Sequence, residues 1–171
     1  QVPFLEAGDI IIDGGNSNWN DDLALGAVGD LVAVGDETGV TGVLELRDRI
    51  RPDAKGIVAR LHAQGVKTIV MLTGDNERTA RAVAAEVGID EVRADLLPED
   101  KVTAIEELVA THDMVAMIGD GVNDAPAMAL AHYGIAMGAV GSDAAIETAD
   151  VALMTDDIGK VPWLIAHSRR T

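Results

Sequence analysis

Short apolar segments alternate with helix-like segments from residue 50 to the end of the chain. The segments 68–72 and 114–118 have the length and the apolar composition of buried strands. Helix-like patterns occupy the residues between them, which is typical of βαβ units and a parallel sheet. The alternation predicts a doubly wound α/β fold, in which ligands bind beyond the carboxyl ends of the strands.

Proline and glycine set the expected boundaries of the helices. Pro52 and Pro98 stand where helices begin, and Gly65 and Gly88 stand where helices end. The predicted helices are 52–64, 77–87, one from Pro98, 124–131, 143–149 and one from Ile158, and the further predicted strands are 134–137 and 151–153.

The first fifty residues follow a different pattern. Residues 9–13 predict a strand, and the glycine- and amide-rich residues 14–18 predict a turn after it. Residues 31–34 and 41–46 predict a hairpin around 35–39.

The acidic composition limits the partners. Thirteen basic residues against 29 acidic ones give a net charge of −16, which disfavours nucleic acid and anionic lipid. Divalent cations are the more natural partners, and solubility alone is the simpler explanation of the surplus of acidic residues.

Cysteine is absent, and neither a signal peptide nor an apolar run of about 20 residues is present. We expect a soluble piece of a longer protein, because the chain starts with Gln1 and stops inside a predicted helix.

The strongest chemical motif is the segment 119–126, GDGVNDAP, directly after a predicted strand. Asp120 and Asp124 are placed to hold Mg²⁺, which prefers hard oxygen ligands. The glycines allow a close approach, and Asn123 is a donor to a phosphate oxygen. The simpler alternative is an acidic turn or helix cap.

Two further motifs follow the same logic. Thr73, Gly74 and Asp75 end a strand and begin a helix, where a hydroxyl and backbone N–H groups form a phosphate cradle; helix capping by Asp75 or Asn76 is the alternative. Lys101 lies early in a helix, where its charge opposes the helix dipole. That position suggests a functional ammonium, with an ordinary surface lysine as the alternative.

The three motifs in this order resemble the haloacid dehalogenase superfamily, and more closely the phosphorylation domain of P-type ATPases. The similarity runs from about Gly42 to Thr171. The resemblance implies that Thr73, Gly74 and Asp75 contact phosphate, that Lys101 pairs with a phosphorylated aspartate, that Asp120 binds Mg²⁺, and that Asn123 and Asp124 support phosphate and metal.

Other segments are similar to the heavy-metal branch of these ATPases. Residues 46–52 resemble the return from a nucleotide-binding domain, and residues 136–154 resemble zinc, cadmium and cobalt exporters rather than copper exporters. Residues 162–170 resemble the helix that leads back to the membrane, although Trp163 could equally be a core anchor. The resemblance implies ATP as phosphoryl donor, metal export as output, transmembrane and nucleotide-binding domains as partners, and a cytoplasmic location.

The N-terminus departs from this pattern. The string D-K-T-G-T, which carries the phosphorylated aspartate of the family, is absent. Residues 1–22 instead resemble part of 6-phosphogluconate dehydrogenase, without its G-x-G-x-x-G fingerprint. We therefore expect residues 1–30 to be an atypical, foreign segment and residues 31–171 to be the phosphorylation-domain-like core. Asp13 is the candidate nucleophile, because it follows an apolar strand and precedes Ser17 by four residues.

Three functions remain open from the sequence. The first is an Mg²⁺-dependent phosphoryl-transfer domain, with weak phosphatase activity in this chain if Asp13 is the nucleophile. The second is an inactive module that binds Mg²⁺ and phosphate. The third, an NADP-dependent dehydrogenase, rests on the N-terminal stretch alone and is tested by NADPH binding.

Overall fold

The computed structural model describes residues 9–13, 30–36, 39–46, 50–119, 124–138 and 143–169, with side chains in 50–119, 124–138 and 146–169. The strands are β1 (Asp9–Asp13), β2 (Asp30–Asp36), β3 (Gly39–Leu46), β4 (Ile69–Leu72), β5 (Glu91–Arg93), β6 (Val115–Gly119), β7 (Tyr133–Met137) and β8 (Val151–Leu153). The helices are α1 (Ala54–Ala63), α2 (Glu77–Val87), α3 (Pro98–Thr111), α4 (Ala125–Met128), α5 (Asp143–Thr148) and α6 (Lys160–Ser168).

Six parallel strands of the described residues form one sheet in the order β5-β4-β1-β6-β7-β8. From β1 the chain moves outward through β4 and β5, and it then returns to β6 and moves outward on the other side. This order confirms the doubly wound α/β prediction and puts the reversal between β1 and β6. A crevice for ligands is therefore expected at the carboxyl ends of these two strands.

The predicted strand near the N-terminus lies in the middle of this sheet. Ile12 pairs with Met71 on one side and with Ile118 on the other. The division at residue 30 stays a prediction, but β1 belongs to the same sheet as the C-terminal strands. The predicted hairpin is confirmed, since β2 and β3 form a separate antiparallel pair with an irregularity between Val34 and Gly35.

Both faces of the six-stranded sheet are buried by helices. Along β6, Val115 and Met117 pack with α3 and α4, whereas Ala116 and Ile118 pack with α1 and α6. This alternation follows from the two-residue period of a strand. Helices on both faces explain why β4 and β6 consist of continuous apolar residues.

Polar groups also hold the edge of the sheet where the strands begin, which we call the amino edge. Asp90 Oδ2 accepts from Ile69 N–H at 2.8 Å, and His132 Nδ1 accepts from Val115 N–H at 3.1 Å. Asp150 Oδ2 accepts from Gly134 N–H at 2.8 Å. Each acceptor immediately precedes the strand that pairs with the strand it caps, so all three follow from the register.

Most element boundaries lie within two residues of the predictions, and the differences have local causes. Strand β5 was not predicted, because two of its three residues, Glu91 and Arg93, are charged. Helix α4 is shorter than the predicted 124–131, since Leu130 and Ala131 make i→i−3 hydrogen bonds instead of helical ones.

The last helix corrects the interpretation of Trp163 as a core anchor. Its side chain is 64% exposed and stacks on His167, with ring centroids 5.0 Å apart. Within the part of the chain that the structure describes, no helix has the length and apolarity needed to cross a membrane.

Candidate phosphate and metal site

Three neighbouring strands bring the predicted site residues to the carboxyl edge of the sheet. Asp13 is the last residue of β1 and pairs with Leu72, the residue before Thr73. On the other side of β1, strand β6 ends at Gly119, one residue beyond the pairing of Ile12 with Ile118. The backbone at Asp13 therefore lies between the ends of β4 and β6, at the reversal of the strand order.

The loop after β4 begins at a buried threonine and continues half-buried. Thr73 has no exposed surface, and its hydroxyl oxygen accepts the Asp75 N–H at 3.0 Å. Asn76 caps α2, since its Oδ1 accepts the Thr79 N–H at 3.0 Å. Capping thus explains Asn76, whereas the Thr73 hydroxyl holds the backbone of the loop at Asp75, and the phosphate cradle itself stays a prediction.

Lys101 and Asp124 form a buried ion pair. Lys101 Nζ donates to Asp124 Oδ1 at 3.2 Å, and the two residues are 5% and 1% exposed. The surface-lysine alternative is therefore wrong. The helix-cap alternative is also wrong for Asp124, because this residue precedes α4 without a side-chain hydrogen bond to the helix backbone.

The first turn of α3 gives Lys101 this direction. Pro98 begins the helix, and Asp100 Oδ2 accepts the Leu97 N–H at 3.0 Å. Lys101 lies on the buried face of α3 together with Ala104, Ile105 and Leu108. The packing of this face against the core therefore also places the Lys101 ammonium in the interior.

Gly119 is needed for the approach of Asp124. A Cβ atom at position 119 would lie 2.8 Å from Asp124 Oδ2 and 3.1 Å from Asp124 Cβ. Real Cβ atoms essentially never make a contact as short as 2.8 Å, so a side chain at 119 would displace the carboxylate. The close approach predicted from the motif was that of a metal ion to the backbone, which stays a prediction, whereas the structure shows the approach of a carboxylate.

The donor chemistry at this edge fits Mg²⁺. The Asp124 carboxylate lies next to Gly119, and carboxylate oxygens are preferred ligands of this ion. Asp120 and Asn123 lie outside the described residues, and of Asp13 only the backbone is described. Among the described residues, no group of three or more His, Asp or Glu side chains forms a complete metal site.

One residue beside the site was missed by the sequence analysis. Asp95, in the loop before α3, has a φ of +56° and donates its N–H to Asp75 O at 2.8 Å. The available signal was weak: Asp tolerates the left-handed region better than most residues, but no neighbouring residue indicates a left-handed turn at this position.

Residues 6–132 of this chain match the family of haloacid dehalogenase-like hydrolases. A probable cadmium-transporting ATPase of Staphylococcus aureus is 49% identical over 138 residues, which are 81% of this chain and 17% of that protein. A manganese-exporting P-type ATPase of Mycobacterium bovis is 46% identical over 158 residues, 92% of this chain and 22% of that protein.

Solved structures that are similar to this chain are also ATPases or ATPase domains. A crystal structure of a zinc-transporting PIB-type ATPase in the E2.Pi state matches with a TM-score of 0.69 and 46% identity, over 82% of this chain and 23% of that one. A catalytic CPx-ATPase domain, CopB-B, matches with a TM-score of 0.61 and 38% identity, over 75% of this chain and 49% of that one. This chain thus spans about a fifth of the curated relatives described here.

Proposed function

This chain belongs to the haloacid dehalogenase-like hydrolase family, and from that premise we propose that it is the phosphorylation domain of a heavy-metal-exporting P-type ATPase. The similarity to cadmium-transporting and manganese-exporting ATPases supports this assignment. In the whole protein, ATP would be the phosphoryl donor and metal export the result. Nucleotide-binding and transmembrane domains would be its partners.

The observation that carries the proposal is the buried Lys101–Asp124 pair at the carboxyl edge. Removing two charges from water costs several kcal/mol for each, and an apolar pair of similar size often gives equal or better stability (about 1–4 kcal/mol). Stability alone therefore gives little reason for this pair. A fixed ammonium and carboxylate, buried at the same edge of the sheet as Thr73, do suit phosphoryl transfer.

Each residue has a role in the proposed chemistry. A carboxylate oxygen of Asp13 would attack phosphorus, forming an O–P bond while the bond from phosphorus to the leaving oxygen breaks. The Lys101 ammonium would offset charge on the transferring oxygens. Thr73, Gly74 and Asp75, together with Asn123, would orient those oxygens, and water would later cleave the aspartyl-phosphate.

Mg²⁺ fits this chemistry as the cofactor. When bound, the ion would neutralise negative charge on the phosphoryl group. Asp120 and Asp124 would hold it, with Asp124 kept in direction by Lys101 and by the space at Gly119.

Titration of the full chain with Mg²⁺ and beryllofluoride tests the proposal. We expect each to raise the unfolding temperature, and both together to raise it most, because a ligand that binds only the folded state stabilises it. Asp13→Asn should lose the beryllofluoride effect and keep the Mg²⁺ effect. No response to either ligand in the unsubstituted chain would contradict the proposal.

A second candidate is a module that binds Mg²⁺ and phosphate without turnover. It is favoured by one observation: the string D-K-T-G-T is absent, and Gly14, Gly15, Asn16 and Ser17 follow Asp13 instead. If Asp13→Asn and the unsubstituted chain respond equally to both ligands, this candidate replaces the first.

A further inference from the structure

Asp95 has an unusual backbone conformation next to the site. Among the residues that the structure describes, it is the non-glycine residue with a positive φ, +56°. Such a conformation costs of order 1 kcal/mol or more for a residue with a Cβ and persists only where its surroundings enforce it. Asp adopts it more readily than most residues because its side chain hydrogen-bonds locally.

Two hydrogen bonds tie Asp95 to the loop after β4. Its N–H donates to Asp75 O at 2.8 Å, and its Oδ2 accepts the Glu77 N–H at 3.2 Å. These contacts lie on either side of Asn76, the residue that caps α2. One residue therefore holds both the end of the phosphate-cradle loop and the first N–H of the helix behind it.

The neighbours of Asp95 extend this connection. Thr73 N–H donates to Arg93 O at 3.0 Å, and Leu96 N–H donates to Thr73 O at 3.1 Å. The residues after β5 thus continue as a partner of the cradle loop up to Asp75. Immediately afterwards the same segment enters α3, which carries Lys101 on its buried face.

We propose that Asp95 is a positioning residue for the phosphate site, through which the backbone of Thr73–Asp75 and the Lys101 ammonium are held at a fixed separation. The left-handed turn at Asp95 lets the segment leave its pairing with the cradle loop and enter α3. The Asp95 carboxylate accepts the first N–H of α2 and so fixes the start of α2 relative to the turn. The proposal rests on the proposed function, because it assigns Asp95 to the same phosphate site.

Three substitutions separate the backbone contribution from that of the carboxylate. Asp95→Asn keeps the tolerance of positive φ and a carbonyl acceptor, Asp95→Gly keeps only the backbone freedom, and Asp95→Ala keeps neither. In the full chain with Mg²⁺, we expect the affinity for inorganic phosphate to stay within about threefold for Asn. It should fall about tenfold for Gly and further for Ala, since each lost interaction is worth roughly a factor of ten.

The matched control is His132→Ala. It removes a single acceptor of a backbone N–H, as Asp95→Gly does, but at the amino edge of the sheet. We expect the control to lower stability in urea by a similar amount while phosphate affinity stays unchanged. If Asp95→Ala lowers stability but not phosphate affinity, the residue is only a helix cap and the proposal is overturned.

A ligand-free measurement separates this proposal from the proposed function. In ¹H–¹⁵N spectra, Asp95→Ala should shift the Gly74, Asp75 and Lys101 amides, and Asp95→Asn should leave them near their original positions. These shifts support positioning even if the unsubstituted chain binds no phosphate, a result that would contradict the proposed function alone. Unchanged amides in Asp95→Ala would overturn the positioning role.

Discussion

The carboxyl edge of the central sheet contains a buried ion pair, whereas the polar side chains that hold the amino edge are exposed. At the amino edge, Asp90, His132 and Asp150 are exposed, and each accepts one backbone N–H. At the carboxyl edge, Lys101 and Asp124 are buried and bind each other.

This difference separates a structural role from a chemical one. An exposed acceptor that satisfies one N–H is replaceable by any other acceptor of similar reach, as the presence of both Asp and His in this role illustrates. A buried pair of opposite charges is not replaceable in this way, because the loss of one partner leaves the other charged in a poorly solvated place. The carboxyl edge is therefore the place where substitutions should have large and specific effects.

The largest effect should follow from Lys101→Met. The substitution removes the ammonium and leaves the buried Asp124 carboxylate without it, which we expect to cost about 3–5 kcal/mol in the free energy of unfolding. Urea denaturation without Mg²⁺ measures this cost. The double variant Lys101→Met/Asp124→Asn should recover most of the stability but no phosphate binding. If Lys101→Met lowers the free energy of unfolding by less than about 1 kcal/mol, the buried pair stabilises no more than an exposed one, and the contrast between the two edges is refuted.

Gly119→Ala tests the same edge through space rather than charge. The added methyl group would overlap Asp124, so we expect a loss of about 1–3 kcal/mol. The control is Gly56→Ala in α1, where a Cβ meets nothing within 4 Å and should stabilise the helix by about 0.5–1 kcal/mol. Equal thermal stability of the two variants would refute the close-approach argument.

His132→Ala addresses the amino edge. Removal of the imidazole leaves Val115 N–H without this acceptor, which should cost about 1 kcal/mol. His132→Asp should restore part of the loss, because Asp90 and Asp150 do the same at neighbouring strands. Urea denaturation of the pair measures the difference, and an Asp variant no better than Ala would show that the imidazole itself matters.

The smallest effect should come from Asp150→Asn. The amide oxygen still accepts the Gly134 N–H, so the change in stability should stay within about 0.5 kcal/mol. Asp150→Ala, which removes the acceptor, is the comparison. If Asn and Ala are equally destabilising in thermal unfolding, the negative charge rather than the hydrogen bond is what this edge requires.

The fold was largely predictable because its strands are apolar and its helices have clear ends. The segments around 69–72 and 115–119 needed only composition, and Gly88, with a φ of +90°, ends α2 as a glycine is expected to. Strand β5 was not predictable in this way, since its partner β4 rather than its own residues makes it a strand.

The site was predictable where a motif carries it and not where the tertiary structure does. Short sequence motifs predicted Thr73, Lys101 and Asp124 as site residues, and the structure brings Lys101 and Asp124 together. Asp95 depends on two hydrogen bonds to residues about twenty positions earlier, and the capping role of His132 depends on the strand register. Neither signal exists within a short window of sequence.

The central place of β1 has a consequence for how the chain folds. Ile10 pairs with Ile69 on one side and with Ala116 on the other, so this strand has both partners only after residue 116 has been synthesised. Contacts between such distant residues slow folding, because the intervening loops must close before any pairing compensates for their lost entropy. During translation, the segment 9–13 can pair with β4 before β6 has been made, and until then its other edge stays open to wrong pairing.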